Sequence, residues 1–213
     1  MKKKLPVLMI SGICCLNLMG CVSAPLDFTP IVADSITTTV MDATESQESK
    51  DRKAAWLSGH YEATKETTDV LRKSLEGKSV AVGAFESFQP GLKNIACRLN
   101  GDVYAPRKVP FSDFIRDGLI ENLKTAGGYN EGSQIILSGK LNSIDFSSHS
   151  GYWTISMTIS SSNGKSLTVS DKYEFETGFG GVNACNDVRT ALMPAVHDLF
   201  DKVFGHPEFA TLL

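Results

Sequence analysis

No apolar stretch in this chain of 213 residues is long enough to cross a bilayer, which takes about 20 residues. The best candidate, Leu5 to Leu18, is short and interrupted by Asn17. Histidine is sparse: His60, His149, His197 and His206 show neither i,i+4 spacing nor cysteines at zinc-ligand distance, so no metal and no cofactor is expected. The group His197, Asp198 and Asp201 reads as a solvated helix face. A Gly-x-Ser-x-Gly elbow is missing, and the serines between Ser147 and Ser170 fall on the polar face of strands. Glu174 and Glu176 share that face, where two acids can work as a proton donor and acceptor, but Lys172 beside them makes an exposed edge the simpler account. Gly178-Phe179-Gly180-Gly181 has no following Lys-Ser/Thr and no dinucleotide spacing, so it reads as a flexible turn rather than a phosphate loop. No catalytic residue emerges, and the expectation is a protein that is not an enzyme.

Positive charge is also in short supply. The chain holds 24 acidic and 21 basic residues. Three of the bases, Lys2, Lys3 and Lys4, open a short apolar segment that ends in Leu18-Met19-Gly20-Cys21. A basic start, an apolar run and a small residue at the cut are the parts of a secretory leader. The four residues resemble the lipobox of bacterial lipoproteins. That resemblance implies cleavage after Gly20, acylation of Cys21 and, because Val22 and Ser23 replace the Asp of inner-membrane retention, an outer-membrane address. Loss of residues 1–20 leaves 24 acids against 18 bases, a net charge of −6. A surface of that sign argues against nucleic acid, whose phosphates need Lys and Arg.

Of five cysteines, Cys14 and Cys15 leave with the leader and Cys21 takes the lipid. Cys97 and Cys185 remain as a single pair in an oxidising compartment, where a disulfide is expected. The alternative is a reactive thiol at Cys185, where a helix begins.

Residues 21–50 are rich in Ser, Thr, Asp and Glu without a sustained period, which reads as a lipidated Cys and a flexible tether. A short strand near Ile31 or Val40, added to another chain, is the alternative there. Residues 51–77 form an N-terminal helical segment, with Trp56, Ala63, Val70, Leu71 and Leu75 on one stripe and Gly59 as a point where it could split. Residues 78–213 read as an α+β domain. SVAVGAF at 79–85 is a buried strand, followed by an irregular loop from Glu86 to Val109. Phe111, Phe114, Ile115, Gly118, Leu119, Leu123 and Ala126 follow helical spacing between Pro110 and Gly127-Gly128. Ile135, Leu137 and Leu141 keep one parity, Ile144 and Phe146 the other, which predicts a β-bulge between Leu141 and Ile144. Trp153, Ile155, Met157 and Ile159 alternate with Thr and Ser, and Asn163-Gly164 predicts a type I′ hairpin to a strand bearing Leu167, Val169, Tyr173 and Phe175. A helix from Ala184 to Phe204, kinked by Pro194, closes the series. The expected architecture is a small antiparallel or mixed sheet with two helices on one face.

The leader, the strand ending near Phe85, the helix Phe111 to Ala126, the hairpin at Asn163-Gly164 and the Ala-rich last helix are together similar to a group of Gram-negative envelope lipoproteins. The group includes the LptE lipopolysaccharide-assembly lipoproteins, the YajG family and the auxiliary lipoproteins of ABC-type lipid transporters. Two functions stay open: an adaptor or assembly factor for another envelope protein, and a lipid- or glycolipid-binding accessory of a transporter. Lys93, Arg98, Arg107 and Lys108 gather positive charge around Cys97, which would suit lipopolysaccharide phosphates or anionic phospholipid. Dilution by Asp102 and Asp113 makes an ordinary solvated loop the competing account.

Overall fold

The computed structural model describes residues 46–213. The expected leader at 1–20, the expected lipidation site Cys21 and the expected tether through Glu45 lie outside the described residues; of residues 21–50, only positions 46–50 fall within them.

Those last positions begin a helix. Helix α1 spans Gln47–Ser58, and the Ser46 hydroxyl caps it by accepting from the Ser49 amide. Gly59, at φ 73°, ends it. Helix α2, Lys65–Leu75, starts afresh under a Thr64 cap that accepts from Thr67 N–H. The single stripe expected across this region is therefore split, because Gly59 takes the left-handed conformation that terminates helices. Leu71 and Leu75 of α2 are buried, whereas Val70 is exposed and the only buried residue of α1 is Arg52. Both helices belong to the one unit Thr44–Leu213, α1 packing on the last helix and α2 on the two long helices.

The main sheet is mixed, in the order β1 (Ala81–Ser87), β4 (Ile136–Ser147), β5 (Tyr152–Ser161) and β6 (Ser166–Glu174). Strand β1 runs parallel to β4, with helix α3 (Phe111–Ala126) as the crossover that a parallel pair requires. Strands β4, β5 and β6 form an antiparallel meander. The register of β4 on β5 shifts between Leu141 and Ser143, the bulge anticipated from the parity change. Gly164 (φ 85°) closes the β5–β6 hairpin. Asn163 does not share its positive φ, and the Ser161 N–H donates to Lys165 O. The connection is thus a type I turn with a glycine bulge rather than type I′.

The segment expected to be irregular holds a two-stranded ribbon, β2 (Asn94–Ala96) and β3 (Asp102–Tyr104), followed by a 3₁₀ turn at Pro106–Lys108. Helix α4 (Gly181–Phe204) continues as one helix through Pro194, and a short 3₁₀ turn, Phe209–Leu212, ends the chain's packing.

One face of the sheet meets α3 and α4. Leu137, Leu141, Trp153, Ile155, Met157 and Ile159 are buried there against Phe114, Leu119, Leu192 and Leu199. The Trp153 indole N–H is satisfied by the Val188 carbonyl at 2.9 Å, as a buried tryptophan requires. Two glycines permit close approach. A Cβ at Gly139 would stand 2.3 Å from the Phe85 ring, and one at Gly118 would stand 2.9 Å from Phe200. The opposite face is polar, laced by Thr158–Thr168 (2.8 Å), Ser170–Ser156 (2.8 Å) and Asn142–Thr158 (2.9 Å) hydrogen bonds.

Candidate functional site

The positive residues of the loop around Cys97 do not converge. Arg98 sits at φ 52° in the β2–β3 turn, and its guanidinium turns towards the β4–β5 connection. Its Nε donates to Ser148 Oγ and its Nη2 to the Ser148 carbonyl, both at 2.9 Å. Arg107 instead donates to Asp117 of α3 at 2.9 Å. Lys108 lies over the Tyr104 ring, 5.2 Å from its centroid. Lys93 is exposed and makes no ion pair among the described residues. Two guanidinium groups, the residue type best shaped for phosphate, are therefore engaged within the protein and point to different elements.

What the loop does assemble is a cross-linked end of the molecule. Cys97 and Cys185 are joined by a disulfide, with Cα atoms 6.0 Å apart, both side chains buried. The β2–β3 turn is closed by Cys97 N–H to Gly101 O and Asn100 N–H to Cys97 O. Thr177, just after β6, donates to the same Ser148 carbonyl that Arg98 uses. Arg189 of α4 donates to the Asp102 carbonyl of the ribbon at 3.2 Å. The glycine turn before α4 is fixed by Gly178 N–H donating to Asp187 at 2.7 Å, which puts a carboxylate where a phosphate loop would need open amides. At the outside of this end stand Leu99, Phe179 and Val182, all exposed.

Two clefts open elsewhere. One, of about 370 Å³, is lined by charged and aromatic groups that include His60, Arg107, Arg116, Asp117 and Glu131. The other, of about 470 Å³, lies between Phe85–Ser87 and Pro110–Asp113. Arg98 borders neither. Arg116 donates to the Gly83 carbonyl at 2.8 Å, covering part of the outer edge of β1.

The titratable groups with altered environments hold helices in place. His197 is not a solvated residue: its ring packs edge-on against Tyr61 (4.7 Å), and Nε2 bonds the Glu62 carbonyl at 2.8 Å. Burial holds its pKa below the ordinary range, opposed by the Glu62 carbonyl and Asp201. Burial likewise pushes up the Tyr61 hydroxyl, which accepts from Asn122. Asp201 accepts from the Thr67 hydroxyl of α2. Among the described residues no group of His, Cys, Asp or Glu is arranged to hold a metal ion.

Asp171 is a special position that the sequence reading passes over. It takes the inward place between Val169 and Tyr173 on β6, buried, with Lys202 of α4 as its partner. Desolvation raises its pKa, opposed by Lys202 and supported by Asp198. An inward charge on an edge strand, next to exposed Lys172, is a device against strand-to-strand association, since a second β6 cannot flatten against it. The alternation Leu167, Val169, Asp171, Tyr173 carries that signal, an acid in an apolar slot. The exposure of Leu99 and Phe179 is not read from the sequence either; its signal is a large apolar residue between Arg, Asn and Gly, where no period can bury it.

Comparison with family models, with curated proteins and with solved structures gives no match for this chain.

Proposed function

We propose that the chain is a non-enzymatic outer-membrane lipoprotein, anchored through Cys21 and facing the periplasm, that serves as an adaptor or assembly factor for an envelope protein complex. The observation that carries this reading is the closure of the described domain. Its core side chains fill the space between sheet and helices, and the groups able to hold an anion hold each other instead: Arg98 with Ser148, Arg107 with Asp117. A protein of this kind acts through its outside.

The lipid-binding alternative calls for an apolar groove with Arg98 and Arg107 at its mouth. Those two residues part company, and the cleft that includes Arg107 is lined chiefly by polar groups. Mild crosslinking in cells, followed by pull-down and analysis of both proteins and lipids, tests the proposal. The expected result is a defined envelope protein in the captured material. Capture of lipopolysaccharide or phospholipid without a protein would reverse the choice.

A further inference from the structure

Leu99 and Phe179 are 103% and 100% exposed, and Val182 is 62% exposed. Single exposed apolar residues are ordinary on any surface. These three are held together. The disulfide joins their two loops, and the Asn100 side chain presses on Gly181, 2.1 Å from where a Cβ would sit. Leu99 is turned outward by Arg98, whose φ of 52° is a conformation that L side chains avoid and whose guanidinium is fixed twice on Ser148. Leu, Phe and Val side chains thus stand exposed together with polar neighbours at the disulfide-linked end of the protein.

We propose that this tip inserts into the lipid surface to which the chain is tethered, orienting the domain on the membrane. The proposal rests on the reading of Cys21 as lipidated. Three side chains fall far short of the roughly 800 Å² that each partner gives to a stable protein interface. They border neither cleft, so no preformed groove stands ready for a second chain. A bilayer interface demands no complementary shape and accepts Leu and Phe side chains to a shallow depth. Charge at this end is mixed: Arg98 lies in the β2–β3 turn, and the Asp187 carboxylate is taken up by Gly178 N–H at 2.7 Å. Weak insertion is sufficient because only 25 positions separate Cys21 from Ser46. Read as a tether, that stretch would hold the start of α1 within about 30 Å of the surface, at roughly millimolar effective concentration.

The test uses the full lipidated protein in vesicles of phosphatidylethanolamine and phosphatidylglycerol, with Phe179→Trp as reporter. Brominated acyl chains should quench the reporter protein well beyond the wild type, which carries only Trp56 and Trp153. Adding Leu99→Asp and Val182→Asp should abolish the excess at an unchanged melting temperature. If the aspartates shift the melt, Leu99→Ser with Val182→Ser takes their place. Flotation of the same samples reads the anchor separately. Protein that does not float overturns the Cys21 reading, and this proposal with it. Protein that floats without excess quenching overturns the tip alone. An envelope protein captured by the wild type and lost with the aspartates, again without excess quenching, gives the tip to a protein partner and also overturns the proposal.

Discussion

Reducing the Cys97–Cys185 bond should cost the domain several kcal/mol of stability. The two residues are 88 apart in sequence, and the bond closes a loop that contains β3, α3, β4, β5 and β6. In the chain-entropy picture a loop of that length restrains the unfolded chain by about 4–5 kcal/mol, less any strain in the native state. Reduction by a phosphine, rather than mutation, isolates this quantity: the sulfur atoms stay in their buried places and no cavity is made. Urea unfolding should then show a lower midpoint for the reduced protein, with a slope equal or steeper because its unfolded chain is more expanded. For a domain of this size a loss of about 4 kcal/mol corresponds to a melting shift of roughly 8–16 °C. Helix α4 would remain joined to the ribbon by Arg189 and the Asp102 carbonyl, so the reduced protein should still fold. Equal midpoints for oxidised and reduced protein, with bond cleavage verified by mass, would refute the reasoning. Stoichiometric alkylation of either cysteine in untreated periplasmic protein would refute the bond itself.

Gly139→Ala should destabilise by about 1–3 kcal/mol, because the Phe85 ring must leave its place; Gly132→Ala, where a Cβ would meet only Asn130 Oδ1 at an ordinary 3.5 Å, is the control, and urea midpoints read both. Asp171→Leu should leave stability within about 1 kcal/mol of wild type, since Lys202 stays half-exposed beside Asp198, yet raise self-association through β6 in sedimentation; a loss of several kcal/mol would contradict this. Burial of His197 means that the unfolded chain binds more protons than the folded one as pH falls through about 6.5. Stability from this site is therefore present above that pH and declines below it, and His197→Gln should flatten the decline in thermal melts. Tyr61, Glu62 and Asp201 face the same ring, and the raised carboxyl of Asp171 acts in the opposite direction at lower pH, so the comparison between variants isolates His197.

Elements with a long, uninterrupted period could be read from the sequence. Helix α3 runs from Phe111 to Ala126, the span its apolar spacing and flanking Pro110 and Gly127 indicate. The bulge near Ser143 follows from parity alone, because side chains alternate strictly along a strand and an extra residue must reverse them. Short elements escaped. Strands β2 and β3 have three residues each, too few for a period, and are fixed by the disulfide and by Val103 in the core. Gly59 alone does not decide a break; Tyr61, packed on Phe114 and Phe200, shows what the linker between α1 and α2 is for. The pairing of Cys97 with Cys185 was legible from the count of cysteines left once the expected leader and lipidation site are set aside. The direction of Arg98 was not, because a side chain's partner fifty residues away, Ser148, leaves no local trace.

The placement of the protein depends on Cys21. Metabolic palmitate labelling of cells producing the wild type and Cys21→Ser, combined with separation of the two membranes, tests it most directly. Labelled wild-type protein is expected in the outer-membrane fraction, with label and fractionation both lost in Cys21→Ser. Equal labelling of the two proteins, or wild-type protein free in the periplasm, would contradict it.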